Sequence, residues 1–302
     1  MRAPYDFARA TFWPFMNLKS GLKLIIWYLL LVILFYVLFV MVVGVAGAGF
    51  ANLASGAEPS AFIMLLFIPF GIGIWMVYAS YITAFHKRAI FEERQGFFPL
   101  RFGGLELKVM LVQFVWFWAF LASYFLFYIV LLIPMLLIGG LAQLGTGAAV
   151  VGGIIGGVLI LAAIIGYMYF LIRMSLTTPL TVANNKFTFL ESFSASKGRG
   201  WWMFLSLLVA AIVYLIVYII GLVAIFSVLG MSIMDFGDPT AMDPTQMGDL
   251  MSSPVTLIIF VLGYIALTLM LGLLMQMFSG VGSYVVKNHK DFTSEAISEI
   301  YA

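Results

Sequence analysis

Residues 24–46 read LIIWYLLLVILFYVLFVMVVGVA, 23 consecutive positions without a charge. A helix rises about 1.5 Å per residue, so this run covers the ~30 Å hydrocarbon layer of a bilayer. The apolar stretch of a secretory leader is only about 7–15 residues, so the run reads as a retained span despite the small residues that follow Val45. The rest of the chain is written in the same style. Its 302 residues are 64% hydrophobic and 9% charged, whereas soluble domains carry about 25% charged residues.

Further apolar runs predict spans at about 61–85, 109–138, 148–172, 203–230 and 255–280. The expected fold is therefore all-α: one polytopic membrane domain over 1–302 with six transmembrane helices. Short interfacial helices should precede some of the spans. Tyr5, Ala8, Phe12 and Phe15 recur at one face of a helix, which predicts an amphipathic segment within 1–23, ended or bent at Pro14. Together with 97–108 and 188–200, each lying before a span, it suggests three units of interfacial segment plus span pair.

Three features stand out inside the spans. Pro69, Gly71 and Gly73 fall together in the second, where a missing hydrogen bond and two weak helix formers predict a kink, suited to a cavity wall but more simply explained by packing, since Pro and Gly are common in membrane helices. Gly152/Gly156 and Gly153/Gly157 form two overlapping small-xxx-small pairs in the fourth, a signal for close helix contact within one chain or between two. Gln113 and Gln276 are candidate polar lining groups in the third and sixth.

Charge sets the topology. All 15 Lys and Arg fall before the first span, in 86–108, in 173–202 or in the tail. The opposite loops hold Glu58, Asp235, Asp238, Asp243 and Asp249 instead. Under the positive-inside rule both termini are cytoplasmic. The spans contain no Asp, Glu, Lys or Arg, which weighs against a pump or a proton-coupled carrier.

Signals for chemistry are sparse. With no Cys there is no thiol nucleophile or Cys-based zinc site. His86 and His289 read as solvated imidazoles at the cytoplasmic face, without HExxH context. No phosphate-cradling loop and no G-x-S-x-G elbow is present, so no catalytic residue, cofactor or metal is expected. The 231–251 loop interleaves Met231, Met234, Met242, Met247 and Met251 with four Asp. Soft sulfur and hard carboxylate ligands coexist there, but Asp-Pro steps are ordinary loop makers.

The segment 173–202, RMSLTTPLTVANNKFTFLESFSASKGRGWW, joins the fourth and fifth spans. Thr188 and Glu191 have capping-box spacing, predicting a helix over 189–197 stopped at Gly198. Phe189 and Phe193 would face lipid, with Ser192, Ser196 and Lys197 nearer water. Trp201 and Trp202 would anchor the fifth span at the headgroups, and Arg173 would snorkel to the same level. The order Arg173, Thr-Pro179, Ser192, Lys197-Gly198 resembles that of bacterial YciC-like proteins and the membrane domains named after glycerophosphoryl diester phosphodiesterase. That resemblance implies the membrane architecture alone. A phosphodiesterase barrel needs about 250 soluble residues, and no segment here approaches that.

Three functional readings follow. The first is a non-enzymatic membrane protein that organises or associates with the membrane, its Lys and Arg resting on anionic headgroups. Its other expected partners are a second copy or another membrane protein, not nucleic acid. The second is a transporter or permease component for an apolar or amphiphilic solute, lined by Pro69, Gly71, Gly73, Gln113 and Gln276. The third is a lipid-modifying enzyme built on His86 with Glu92 or Glu106.

Overall fold

A computed structural model describes residues 5–45, 61–93, 96–228 and 254–288. The loop 47–60, the Met/Asp loop 231–251 and His289 with the tail beyond it lie outside the described residues. Among the described residues, six helices are long and apolar enough to cross a membrane, and the chain is an all-α integral membrane protein. The spans are α3 (Leu18–Val45), α4 (Ala61–Phe91), α5 (Gly104–Ala142), α6 (Thr146–Met174), α9 (Gly200–Val228) and α10 (Pro254–Lys287). Four short helices sit between or before them: α1 (Phe7–Thr11), α2 (Trp13–Met16), α7 (Thr177–Asn184) and α8 (Glu191–Ala195).

Successive spans pair as α3 with α4, α5 with α6, and α9 with α10. The α5–α6 pairing is the most extensive. Gly152 and Gly156 of α6 are buried, and a Cβ built at Gly156 would lie 2.4 Å from Ile138 Cγ1 and 3.3 Å from the Pro134 carbonyl. A Cβ at Gly153 or Gly157 would meet nothing within 4 Å. One glycine pair thus welds the hairpin, and the contact is within the chain. At 39 residues, α5 measures about 58 Å end to end.

The buried side chains crowd one end of the bundle. They come from the last turns of α4 (Phe85, Ala89, Ile90), the first turns of α5 (Leu105, Val109), α7 (Leu176, Leu180, Val182) and the end of α10 (Val281, Val285, Val286). The opposite halves of the spans expose large apolar side chains, such as Met41, Leu136 and Ile154, as lipid-facing surface does. The tight end is also the basic one. Lys23 donates to the Gly96 carbonyl, Lys108 to Asn185 O at 2.8 Å, Arg199 to Asn288 O at 3.1 Å, and Lys287 pairs with Glu92 at 2.6 Å. The four basic segments are therefore tied together at one end. Both ends of the described chain meet there too, with the Tyr5 and Tyr284 rings 5.3 Å apart.

Small residues near the end of α10 make this convergence possible. A Cβ at Gly280 would come within 3.5 Å of the Ala10 carbonyl, and one at Gly282 within 3.1 Å of Pro179 Cγ. The backbone of α1 and the proline of α7 thus approach α10 closely. This corrects the expectation for residues 1–23. Instead of lying on the headgroups by a Tyr5/Ala8/Phe12/Phe15 face, the segment buries Ala10, Thr11 and Pro14 and packs Trp13 edge-on to Phe85 at 5.0 Å. The helical period is interrupted at Phe12, the C-cap of α1, so one stripe cannot run through both short helices. Pro14 opens α2 rather than ending a helix.

The second span also differs in detail. Pro69 lies inside α4, which continues unbroken to Phe91. Pro69 and Gly71 are exposed, and a Cβ at Gly73 would meet Phe35 Cε1 at 2.4 Å. The trio therefore serves the lipid-facing surface and the α3–α4 contact.

Candidate functional site

The hinge between α6 and α9 is built from side-chain anchors rather than a capping box. Thr188 is buried; its hydroxyl lies 3.0 Å from that of Thr181 in α7, and its N–H donates to Thr181 Oγ1. The helix begins at Glu191, with Leu190 as an N-cap that has no side-chain bond. Thr188 is drawn back to α7 because Asn185, in the left-handed region at φ 48°, reverses the chain at the end of that helix. Glu191 accepts from Asn184 at 3.3 Å and sits 3.8 Å from Lys186.

Arg173 latches α8 onto the end of α6. Its Nε donates to Ser196 Oγ at 2.8 Å, its Nη2 donates to the Phe193 carbonyl, and its guanidinium lies 5.5 Å from the Phe193 ring centroid. Ser192 and Ser196 are buried, not turned to water as expected, because the latch presses that side of α8 inward. Lys197 is exposed. Gly198 has φ +80°, a left-handed value that suits glycine at the stop. Trp201 and Trp202 are exposed, Trp202 stacking with Tyr5 at 6.3 Å. Pro179 stands in the first turn of α7, where its missing N–H costs no hydrogen bond, and is buried.

Outside this hinge, a polar-lined opening lies between α4, α5, α7 and α10. It is a cleft of about 490 Å³ lined by Trp75, Tyr78, Ile82, His86, Gln113, Trp116, Phe117, Ser175, Thr177, Thr178, Phe278 and Ser279. Along α4 the lining residues are three or four apart, so they share one face. His86 stands nearest the basic end and Trp75 deepest. On α5, Gln113 is nearest that end, with Trp116 and Phe117 beyond it. The cleft is thus polar near the basic edge and aromatic toward mid-membrane. Tyr78 and Phe117 are 40% and 49% exposed and form its lateral mouth.

His86 is buried, not solvated, and its Nδ1 lies 2.7 Å from Ser283 Oγ. Glu92 is held by Lys287, whose hydrogen bond and charge keep its carboxyl below the usual range. Glu106 lines a separate space of about 30 Å³ with Lys87, Arg88, Glu93 and Arg101, room for about one water. The imidazole and these carboxylates are therefore not brought together. Gln113 differs from every other polar group of the cleft's inner wall in that its Oε1 is fully buried without a partner.

A second, more apolar cleft of about 570 Å³ adjoins the first and shares Tyr78, Ile82, Phe278 and Ser279 with it. Gln276 belongs to neither. It is buried, and its amide donates to the Gly21 carbonyl at 3.2 Å and the Tyr81 hydroxyl at 3.0 Å, joining α3, α4 and α10.

Sequence reasoning named Gln113 but missed Trp75, Trp116, Ser175, Thr177, Thr178 and Ser279. The spacing of Trp75, Tyr78, Ile82 and His86 on one helical face was the available signal. Compared with protein-family models, curated proteins and solved structures, the chain matches none of them.

Proposed function

We propose that this is a non-enzymatic protein of a bacterial inner membrane, both termini cytoplasmic, that associates with lipid by holding the head of one amphiphile in the cleft between α4, α5 and α10. The observation that carries this reading is the cleft itself: about 490 Å³, aromatic-walled, with the Gln113 Oε1 unpartnered in its wall. Small-molecule sites occupy roughly 300–1,000 Å³ and combine apolar walls with a few polar groups. A buried amide oxygen without a partner costs about 1–3 kcal/mol, which a bound polar group would offset once the amide turns that oxygen toward the cleft.

The basic edge supports the same reading, since each Lys or Arg beside an anionic leaflet adds about 1 kcal/mol of attraction. A carrier lined by Pro69, Gly71 and Gly73 is less favoured because those residues face outward or pack on Phe35. A lipid-modifying enzyme is less favoured because His86 pairs with Ser283 and Glu92 with Lys287. Kinship to YciC-like proteins is our inference too, supported by the shared order of residues in the hinge.

Native mass spectrometry tests the binding. Protein carried through detergent exchange should retain about one lipid per chain, the occupancy of a single site. Ser279→Phe, which fills the cleft, should abolish retention while leaving the helical circular dichroism unchanged. Equal retention by the folded variant would sink the proposal.

A further inference from the structure

The lining of the cleft also speaks to the chemistry of its occupant. Resting on the lipid-binding reading, we infer that the cleft selects an uncharged, two-chained lipid with a free hydroxyl, a diacylglycerol, over a lipid that ends in a phosphate monoester.

The polar lining consists of one imidazole, one amide, five hydroxyls and two indole N–H groups, with no Lys, Arg, Asp or Glu. The cations nearest in sequence are committed elsewhere. Lys87 and Arg88 line the small space that also holds Glu93 and Glu106, and Arg173 is bonded to α8. A phosphate monoester brought into this apolar cleft would lose its hydration with no cation to replace it.

A hydroxyl meets no such penalty. It both donates and accepts, so it satisfies the Gln113 amide whichever way that group is turned about its last torsion. Gln113 Oε1 is buried without a partner in the protein, and turning the amide about its last torsion exchanges that oxygen with Nε2, so the group can meet a neutral hydroxyl as donor or as acceptor. His86 and Gln113 lie near the basic edge, which places the glycerol end there and leaves the acyl chains to run toward mid-membrane.

The number of chains follows from the second cleft. It lies across Tyr78, Ile82 and Phe278 from the first and is lined on its far side by Ile25, Leu29 and Met275. Two grooves flanking one wall fit two chains diverging from a shared head.

Photoactivatable diacylglycerol and phosphatidic acid with identical chains, each presented to the purified full chain in nanodiscs, test the inference, with crosslinks mapped by peptide mass spectrometry. Diacylglycerol should label 75–86 and 113–117 about tenfold more than phosphatidic acid, given the cost of burying an unpaired charge. Gln113→Leu should reduce that label several-fold without lowering the melting temperature; if that variant does not fold, the two-probe comparison on the natural sequence decides alone. Equal or stronger cleft labelling by phosphatidic acid would overturn the headgroup inference and leave lipid binding standing. Labelling of the cleft by neither probe would overturn both.

Discussion

A methyl group added at Gly156 would sit 2.4 Å from Ile138 Cγ1 and 2.5 Å from its Cδ1, closer than nonbonded carbons tolerate. One added at Gly157, one residue along the same helix, would meet nothing within 4 Å. Gly156→Ala should therefore cost about 1–3 kcal/mol through overpacking. Gly157→Ala should fall within about 0.5 kcal/mol of the natural protein. Thermal unfolding of both variants in the same detergent checks this; equal losses would mean that the α5–α6 contact does not depend on that glycine. Gln276 makes a related point. It was a candidate lining group by its polarity, yet at this position an amide is worth more as a staple, because Gly21 offers an unobstructed carbonyl beside it. Residue type alone does not separate the two roles of Gln113 and Gln276: both leave Oε1 buried without a partner, and the difference is that Gly21 and Tyr81 accept from the Gln276 Nε2.

The helices α7 and α8 illustrate what a short element needs in order to persist. Eight and five residues are too few to hold a helix by propensity, so anchoring from outside is required. For α8 that anchor is Arg173. Arg173→Ala should remove charge-assisted bonds worth roughly 1.5–3 kcal/mol and raise hydrogen exchange across 189–196. Arg173→Lys should restore it in part, since an ammonium reaches one acceptor but not the paired geometry of a guanidinium. Unchanged exchange in Arg173→Ala would show that packing alone retains the helix. The long elements were legible in the sequence because hydrophobic length is a strong and local signal: every expected span overlaps an observed helix. The short ones were legible only as existing. Thr188 looked like a cap because spacing does not reveal that Thr181 competes for it. Residues 5–15 looked amphipathic because their period says nothing of a break at Phe12 or of the gap that Gly280 leaves for them. The cleft was harder still, since its lining is drawn from α4, α5, α10, Ser175 and the start of α7, and such a meeting depends on tertiary packing.

At the scale of the whole molecule, charge and packing coincide. The end of the bundle with the ion pairs is also the end with the buried core, so one half of the protein is closely packed and the other is largely lipid-facing side chains. Because the chain has no Cys, its orientation can be read with single introduced thiols. With a membrane-impermeant maleimide, Glu58→Cys should be labelled in intact spheroplasts and Lys186→Cys only after permeabilisation. The opposite pattern would reverse the proposed topology.

The length of α5 carries a consequence of its own. A rod of about 58 Å starting at the basic edge overruns a hydrocarbon layer of ~30 Å, and neither its far half nor the turn at 143–145 bears a charge that would mark an exit into water. Hydrophobic excess of this kind is relieved by leaning or by gathering thicker lipid around the helix. With α6 welded to it through Gly152 and Gly156, the hairpin must lean as one body. Local bilayer thickness thereby becomes a variable that this protein registers, and its residence in thin or thick patches of membrane should be set by that hairpin more than by the other four spans.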